Sequence, residues 1–398
     1  MRLVKRVSIM GVTGSIGKSA QSVIRAANAA EYGVHFAVEA VASGRDVAGL
    51  AEAAMSMGAK VAVIADERAL PDLRDALAGT GIEAAGGVQA LAEAASRPVD
   101  RVLAAVSGAA GLGSTLAAIR AGNDVALANK ESIVCAGEIL KAEARRTDAR
   151  IVPVDSEHNA IFQVLDTSRA PEGIILTASG GPFRTASLEE MRRATPEVAA
   201  AHPNWSMGIK NSIDSATLMN KALELIEACY LFDMAEDRIE VVVHRQSIVH
   251  SFVRYPDGSV LAQLGVTDMR TPIAHALCWP DPVRTEVPRL DLAATARLDF
   301  EAVDEERFPA IRLARQAASH GCMASTVFNS ANEAAVAAFV GRKCGFLDIS
   351  YVVEKTLDSF CDGRFGASHT DGLSLDTVTA LDAKARQVAT ELLAQSVG

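Results

Sequence analysis

Cysteine and aromatic residues are sparse in this chain: six cysteines, two tryptophans, four tyrosines and twelve phenylalanines are spread over 398 residues. The cysteines, at 135, 229, 278, 322, 344 and 361, form no Cys-x-x-Cys pair. That argues against a disulfide framework or a zinc ribbon and fits a reducing compartment. An aromatic content of 5% beside abundant Ala and Gly favours helices packed closely on a sheet over an aromatic-rich β-sandwich. Positive charge is not in excess. The formal net charge is −10, which speaks against a general polyanion binder such as a nucleic-acid protein. A long hydrophobic run is also missing: the longest uncharged stretch, between Arg101 and Arg120, is broken by Gly108, Gly111 and Gly113 and reads as strand–loop–helix, not as a membrane span. The chain runs almost at once into an apolar strand, so neither a signal nor a transit peptide is expected and the expected location is the cytoplasm. The sequence has no internal repeat and no low-complexity tract.

What is present is enough chain for about two or three domains, with a core large enough to need no covalent staple. In the first 150 residues short apolar runs (Val7–Met10, His35–Ala42, Lys60–Ala65, Arg101–Val106, Asp124–Ala128, Arg150–Val154) alternate with Ala/Leu-rich stretches of helical spacing such as Val47–Met57 and Val88–Ala95. Alternation of this kind predicts an α/β domain, a Rossmann-like, doubly wound parallel sheet with its ligand crevice at the carboxyl ends of the strands. Residues 151–285 read as an α+β catalytic domain with long β-rich runs (Gly173–Ala178, Ile239–Tyr255, Val260–Leu264), a helix over Ser215–Leu231 and a loop-like lid over 180–208. Prolines 280, 282 and 288 introduce a linker, 286–311, and residues 312–398 read as a small helical domain.

Seven groups of residues carry chemistry. The turn Gly11-Val12-Thr13-Gly14-Ser15-Ile16-Gly17 follows a strand and opens a helix, where glycines let backbone amides approach a pyrophosphate; the structural alternative is an ordinary tight strand-to-helix turn. An NAD enzyme usually ends its second strand in a carboxylate. Here Glu39 falls mid-strand and the end reads Ser43-Gly44-Arg45, a cation suited to the 2′-phosphate of NADP. Asp155-Ser156-Glu157 stands where the last parallel strand ends, and two carboxylates spaced two apart on extended chain face one crevice and suit Mg²⁺ or Mn²⁺. Helix capping is the alternative there. Asn220, Lys221 and Glu224 share a helix face by three- and four-residue spacing, either as a site or as a solvated ion pair. Gly180–Gly208, with Trp205, has the length of a lid. His244 and His250 alternate onto one face of the strand Val241–Val253, and Asn129-Lys130-Glu131 follows a strand's carboxyl end.

Taken together, these segments resemble the 1-deoxy-D-xylulose 5-phosphate reductoisomerases over essentially the whole chain. The resemblance rests on Thr13–Gly17, Ala128–Ser132, Pro153–Asn159, Ser179–Phe183, His202–Gly208, Asp214–Lys221, Asp268–His275 and Asn332–Val336. Arg245 stands where the family usually has proline, Asp46 where it often has asparagine, Ala222 where glycine is common and Val12 where serine is usual. The resemblance implies an NADPH- and divalent-metal-dependent homodimer. It would rearrange and reduce 1-deoxy-D-xylulose 5-phosphate to 2-C-methyl-D-erythritol 4-phosphate in non-mevalonate isoprenoid synthesis. It also implies that Asp155, Glu157 and Glu224 hold the metal, with Lys130, Glu157 and His202 as catalytic groups. Ser156, Ser179, Trp205, Met207, Ser215, Asn220, Lys221 and His250 would line the substrate. Thr13, Gly14, Ser15, Ile16, Gly44, Arg45, Asp46, Asn129, Glu131 and Gly208 would meet the cofactor. A metal-free NADP-dependent hydroxy-acid dehydrogenase and a non-catalytic NADP sensor are the rival readings; neither needs a carboxylate set.

Overall fold

The computed structural model describes residues 3–30, 33–201, 208–281, 283–363 and 373–396. By contacts the chain divides into two units, one made of residues 1–132, 140–162 and 268–289 and the other of residues 133–139, 163–267 and 290–398.

The first unit is built on seven strands: β1 (Leu3–Met10), β2 (Val34–Ser43), β3 (Val61–Ile64), β4 (Glu83–Gly86), β5 (Arg101–Ala104), β6 (Val125–Leu127) and β7 (Ile151–Pro153). They pair in the order β4-β3-β2-β1-β5-β6-β7, every pairing parallel. Parallel strands covered by helices on both faces must be apolar throughout; accordingly β3, β5 and β6 are buried along their whole length. Val7, Ile9, Phe36, Ile64 and Leu103 centre the core, closed in part by Ile273 and Leu277 of the helix Arg270–Cys278. Strand order reverses between β1 and β5, and ligands of doubly wound sheets bind outside the carboxyl ends at such a reversal.

The second unit holds a five-stranded sheet made of β8 (Gly173–Ala178), β9 (Ile239–Val243), β10 (Val249–Arg254), β11 (Val260–Leu264) and β12 (Glu301–Ala302), in the order β11-β10-β8-β9-β12. Only β8 and β9 are parallel. The β-rich run Ile239–Tyr255 is therefore not one strand. It turns at Ser247, whose φ is 52°, and β10 returns on the opposite side of β8 from β9. Among the described residues, no strand follows Phe308; the elements there are the helices Ala310–Ser319, Cys322–Val340, Asp348–Cys361 and Leu375–Ser396. No helix among the described residues is long and apolar enough to cross a membrane.

Two further expectations are corrected. The helix foreseen over Ser215–Leu231 is two helices, Ile209–Ala216 and Met219–Leu231, separated at Leu218, which sits in the left-handed region at φ 61°. The stretch foreseen as a loop over 180–208 contains the helices Leu188–Arg192 and Pro196–Ala199, capped by Ser187 and Thr195. The first cap was legible, since Ser187 with Glu190 forms a capping box.

Candidate active site

At the reversal of strand order the glycine turn is closed by its own backbone. The amides of Gly11 and Val12 both donate to Ala42 O at the end of β2. Gly11 has φ 100°, and a Cβ there would lie 2.3 Å from Ala105 O just beyond β5. A Cβ at Gly17 would lie 2.3 Å from the carbonyl oxygens of Gly11 and Val12. Glycine is thus required for the turn to fold against β5 and against itself. The helix Ser15–Ala29 starts from Gly14 without a side-chain cap and without an acid in its first turn, leaving its positive end open to an anion. Thr13 Oγ1 lies 2.7 Å from Ser43 Oγ, joining this turn to the end of β2.

Along that second edge, Glu39 is committed elsewhere: its carboxylate pairs with Lys60 at 2.7 Å and Arg97 at 3.3 Å. Gly44, Arg45 and Asp46 are exposed, and nothing lies within 4 Å of where a Cβ on Gly44 would be. Asp46 Oδ1 accepts from the Gly49 amide at 2.9 Å and caps the helix Val47–Met57. Sequence reasoning missed Asp66, which follows β3 and lies 3.2 Å from the Arg45 guanidinium. Hydrogen bonding from Arg68 above all, with the charge of Arg45 a lesser cause, brings the Asp66 carboxyl down to about 2. Nothing in the spacing of β2 and β3 announced that neighbour, because it comes from strand pairing.

On the other side of the reversal, Asn129 caps the helix Lys130–Thr147 by accepting from Ser132 N at 2.8 Å. Its amide also donates to Val106 O and, at 2.9 Å, to Gly108 O. Asn129 and Glu131 are both buried. Lys130 Nζ lies 2.7 Å from Asp155 Oδ2, with each side chain 12% exposed. Burial would push the Asp155 carboxyl up, but the Lys130 charge and the hydrogen bond from His158 outweigh it and hold the group well below the usual carboxylate range. Asp155 and Glu157 do not sit on extended chain, as the spacing had implied, because a helix begins at Ser156. Asp155 caps it in part, accepting weakly from Glu157 N at 3.4 Å, so the capping alternative and an ionised acid coexist. Ser156 Oγ donates to Glu157 Oε2 at 2.5 Å. Asn159 fixes this helix by donating to Pro153 O at 2.8 Å and meeting His275 Nδ1 at 3.1 Å.

In the second unit, the helix Met219–Leu231 presents Asn220, Lys221 and Glu224 together, as the spacing predicted. Asn220 and Lys221 both donate to the Glu224 carboxylate. Lys221 and Glu224 are 3% and 1% exposed, which makes this a buried pair and not a solvated face. Ser179 follows β8 and its Oγ accepts from Gly181 N at 3.3 Å. Gly181, at φ 62°, rests on the backbone of Ser215, where a Cβ would meet Ser215 O at 2.8 Å. Ser179 and Ser215 are therefore braced together. His250 is buried on β10, and burial first, then the Lys221 charge, pushes its imidazole down to about 4. His244 does not share a strand face with it. It follows the end of β9, stacks on Phe300 and meets Asp299 O at 2.8 Å. His202, Trp205 and Met207 lie outside the described residues; Gly208 opens the helix Ile209–Ala216. Arg245, one of the departures from the family pattern, is occupied by Asp299 at 2.5 Å, while Val12 and Ala222 are fully buried.

Three family models match the chain: 1-deoxy-D-xylulose 5-phosphate reductoisomerase over residues 7–137, its C-terminal domain over 151–232, and the DXP reductoisomerase C-terminal domain over 264–388. The 1-deoxy-D-xylulose 5-phosphate reductoisomerase of Rhodospirillum centenum is 54% identical over 99% of this chain and 96% of its own length. The chain belongs to the 1-deoxy-D-xylulose 5-phosphate reductoisomerase family. The reductoisomerase of Caulobacter vibrioides is 51% identical over 98% of this chain and 97% of its own. Among solved structures, the reductoisomerase from Zymomonas mobilis in complex with NADPH superposes with a TM-score of 0.89 at 48% identity, covering 98% of this chain and 99% of that one. A DOX-P reductoisomerase in complex with NADPH, fosmidomycin and magnesium gives 0.91 at 41% identity, covering 98% of both chains. The sensor and simple-dehydrogenase readings give way to this family.

Proposed function

We infer that this chain catalyses the NADPH-dependent rearrangement and reduction of 1-deoxy-D-xylulose 5-phosphate to 2-C-methyl-D-erythritol 4-phosphate with a divalent metal, in non-mevalonate isoprenoid synthesis. The observation that carries the reading is the set of oxygen donors, half-buried Asp155 with Glu157 in the first unit and buried Glu224 in the second, with Asp155 and Glu224 each already engaged by a lysine. A hydride transfer alone has no use for them. Relatives crystallised with NADPH and magnesium add support.

Asp155, Glu157 and Glu224 would hold the ion. All are hard oxygen donors, and the depressed Asp155 carboxyl is ionised and ready to ligate. A bound divalent ion polarises neighbouring substrate oxygens and stabilises charge developing on them. Bound NADPH would supply the hydride for the reduction. Lys130 would orient the hydroxy-ketone part of the substrate with Ser156. Ser179, Ser215 and Asn220 would donate hydrogen bonds to its phosphate and Lys221 would bring the positive charge, with His250 beside them. His202, Trp205 and Met207 would cover the substrate and exclude water, as the resemblance implies. Thr13–Ile16, Gly44–Asp46, Asn129, Glu131 and Gly208 would receive the cofactor, Arg45 taking its 2′-phosphate. Oxidation of NADPH in the presence of 1-deoxy-D-xylulose 5-phosphate, followed with and without chelator, tests the reading. Turnover untouched by exhaustive chelation would remove the metal from it.

We also propose a homodimer in the cytoplasm. The strand β11 is a sheet edge with Val260, Leu261 and Leu264 exposed, a surface that proteins normally cover. Sedimentation velocity of the purified chain decides between one copy and two.

A further inference from the structure

The segment Asn332–Val336, part of the family pattern, supplies none of the groups assigned above, yet it contains a side chain aimed at the site. Asn332 lies on the helix Cys322–Val340, fully buried. Its Nδ2 donates to Asp214 Oδ1 at 2.9 Å, and Asp214 is fully buried too. The second Asp214 oxygen, Oδ2, lies 2.9 Å from Lys210 Nζ one turn earlier on the same helix. Asp214 immediately precedes Ser215.

A carboxylate buried between two helices costs several kcal/mol of desolvation unless it is charge-paired and hydrogen-bonded, so its partners fix where its helix sits. The helix Ile209–Ala216 needs such fixing. It is only eight residues long, starts from Gly208 with no side-chain cap, and ends in a turn through the left-handed Leu218. Its apolar burial comes from few groups, Ile213 and Ala216 among them. The helix Cys322–Val340, by contrast, is nineteen residues long and buried along most of its length. The hydrogen bond from Asn332 is therefore a directional tie from a fixed element to a short one. The backbone of Ser215 in turn supports Gly181 and the turn that carries Ser179.

We propose that Asn332 is a positioning residue for phosphate recognition: through Asp214 it sets the placement of Ser215 against Ser179. This rests on the assignment of Ser215 to the substrate phosphate. Displacing a donor by about an ångström is enough to lose much of a charge-assisted hydrogen bond.

The test is a set of steady-state measurements on the full chain with Asn332→Ala, Ser215→Ala and the double variant. Asn332→Ala is expected to raise KM for 1-deoxy-D-xylulose 5-phosphate about tenfold while kcat and KM for NADPH stay within about threefold. In the double variant KM should rise little beyond the Ser215→Ala value, because the two residues act through one contact. Full additivity of the two effects, or an unchanged KM in soluble, folded Asn332→Ala, overturns the proposal. So does a fall in kcat in step with the folded fraction at constant KM, since that is loss of fold alone. If Asn332→Ala yields no folded protein, Asn332→Ser, smaller in its loss of volume and polarity, must still raise KM at least threefold. Should Ser215→Ala itself leave KM unchanged, the phosphate assignment fails, and this outcome is distinct from failure at Asn332 alone.

Discussion

Lys130 Nζ and Asp155 Oδ2 lie 2.7 Å apart, although one residue opens a helix after β6 and the other follows β7. Paired strands bring them together, and each is nearly shielded from water. Asp155 is thus held ionised by a cation that would also touch the substrate. Asp155→Asn keeps the shape and removes the charge, so turnover should fall more than ~100-fold with excess Mn²⁺ restoring only part of it. NADPH affinity, read by fluorescence titration without substrate, should stay within about threefold of the parent, a shift below ~0.7 kcal/mol. Full activity in the variant would contradict the ligand assignment.

Arg45 carries the cofactor prediction. Arg45→Glu should shrink the preference for NADPH over NADH, since a charge-assisted phosphate contact is worth ~1.5–3 kcal/mol. Asp66 is already beside Arg45 at 3.2 Å, so the parent contact belongs at the lower end of that range. Comparing kcat/KM for the two cofactors in parent and variant checks this, and a parent without preference refutes the reading of the β2 edge.

His250 gives a pH dependence with a definite sign. Burial, followed by the charges of Lys221 and His244, lowers its imidazole to about 4 against backbone hydrogen bonds at Val266 and Gly265 that oppose the shift. The unfolded chain binds this proton near pH 6.5, so the neutral ring stabilises the fold fully above that value. The contribution is lost as pH falls from about 6.5 through about 4. Urea unfolding of the parent should show a loss of ~1–3 kcal/mol across that window that His250→Asn lacks. Parallel pH profiles for the two would show that the ring titrates normally.

Gly17→Ala places a methyl 2.3 Å from two carbonyl oxygens of its own turn. Backbone cannot yield as a long side chain does, so the variant should lose ~1–3 kcal/mol and weaken NADPH binding at the same time. Thermal unfolding with and without NADPH measures both, and an unchanged melting temperature would mean that the turn relaxes freely.

The parallel sheet was legible because its signal is local: β3, β5 and β6 are continuous apolar runs, and the helix Val47–Met57 coincides with the one read from spacing. β4, with only Glu83–Gly86 and no β-branched residue, gave no such signal. The run Ile239–Tyr255 misled for the opposite reason. The polar stretch His244-Arg245-Gln246-Ser247 that breaks it contains neither Gly nor Pro, and the reversal at Ser247 is made by a non-glycine residue at positive φ. At the site, Asn220, Lys221 and Glu224 were readable because one helix turn brings them together. Arg45 with Asp66, Ser179 with Ser215 and Asn332 with Asp214 were not, since each joins segments far apart in the chain, and side-chain spacing within one element says nothing of such meetings.

Gly44 marks where this chain remains open to redesign. Glu39 is tied to two cations, Asp46 is spent on a helix cap, and Gly11 and Gly17 of the turn admit no side chain. A Cβ at Gly44 would meet no atom within 4 Å and would stand next to Arg45 in the chain. Conversion to NADH use, in the laboratory or along a lineage, would therefore begin most easily with an acid at that one position.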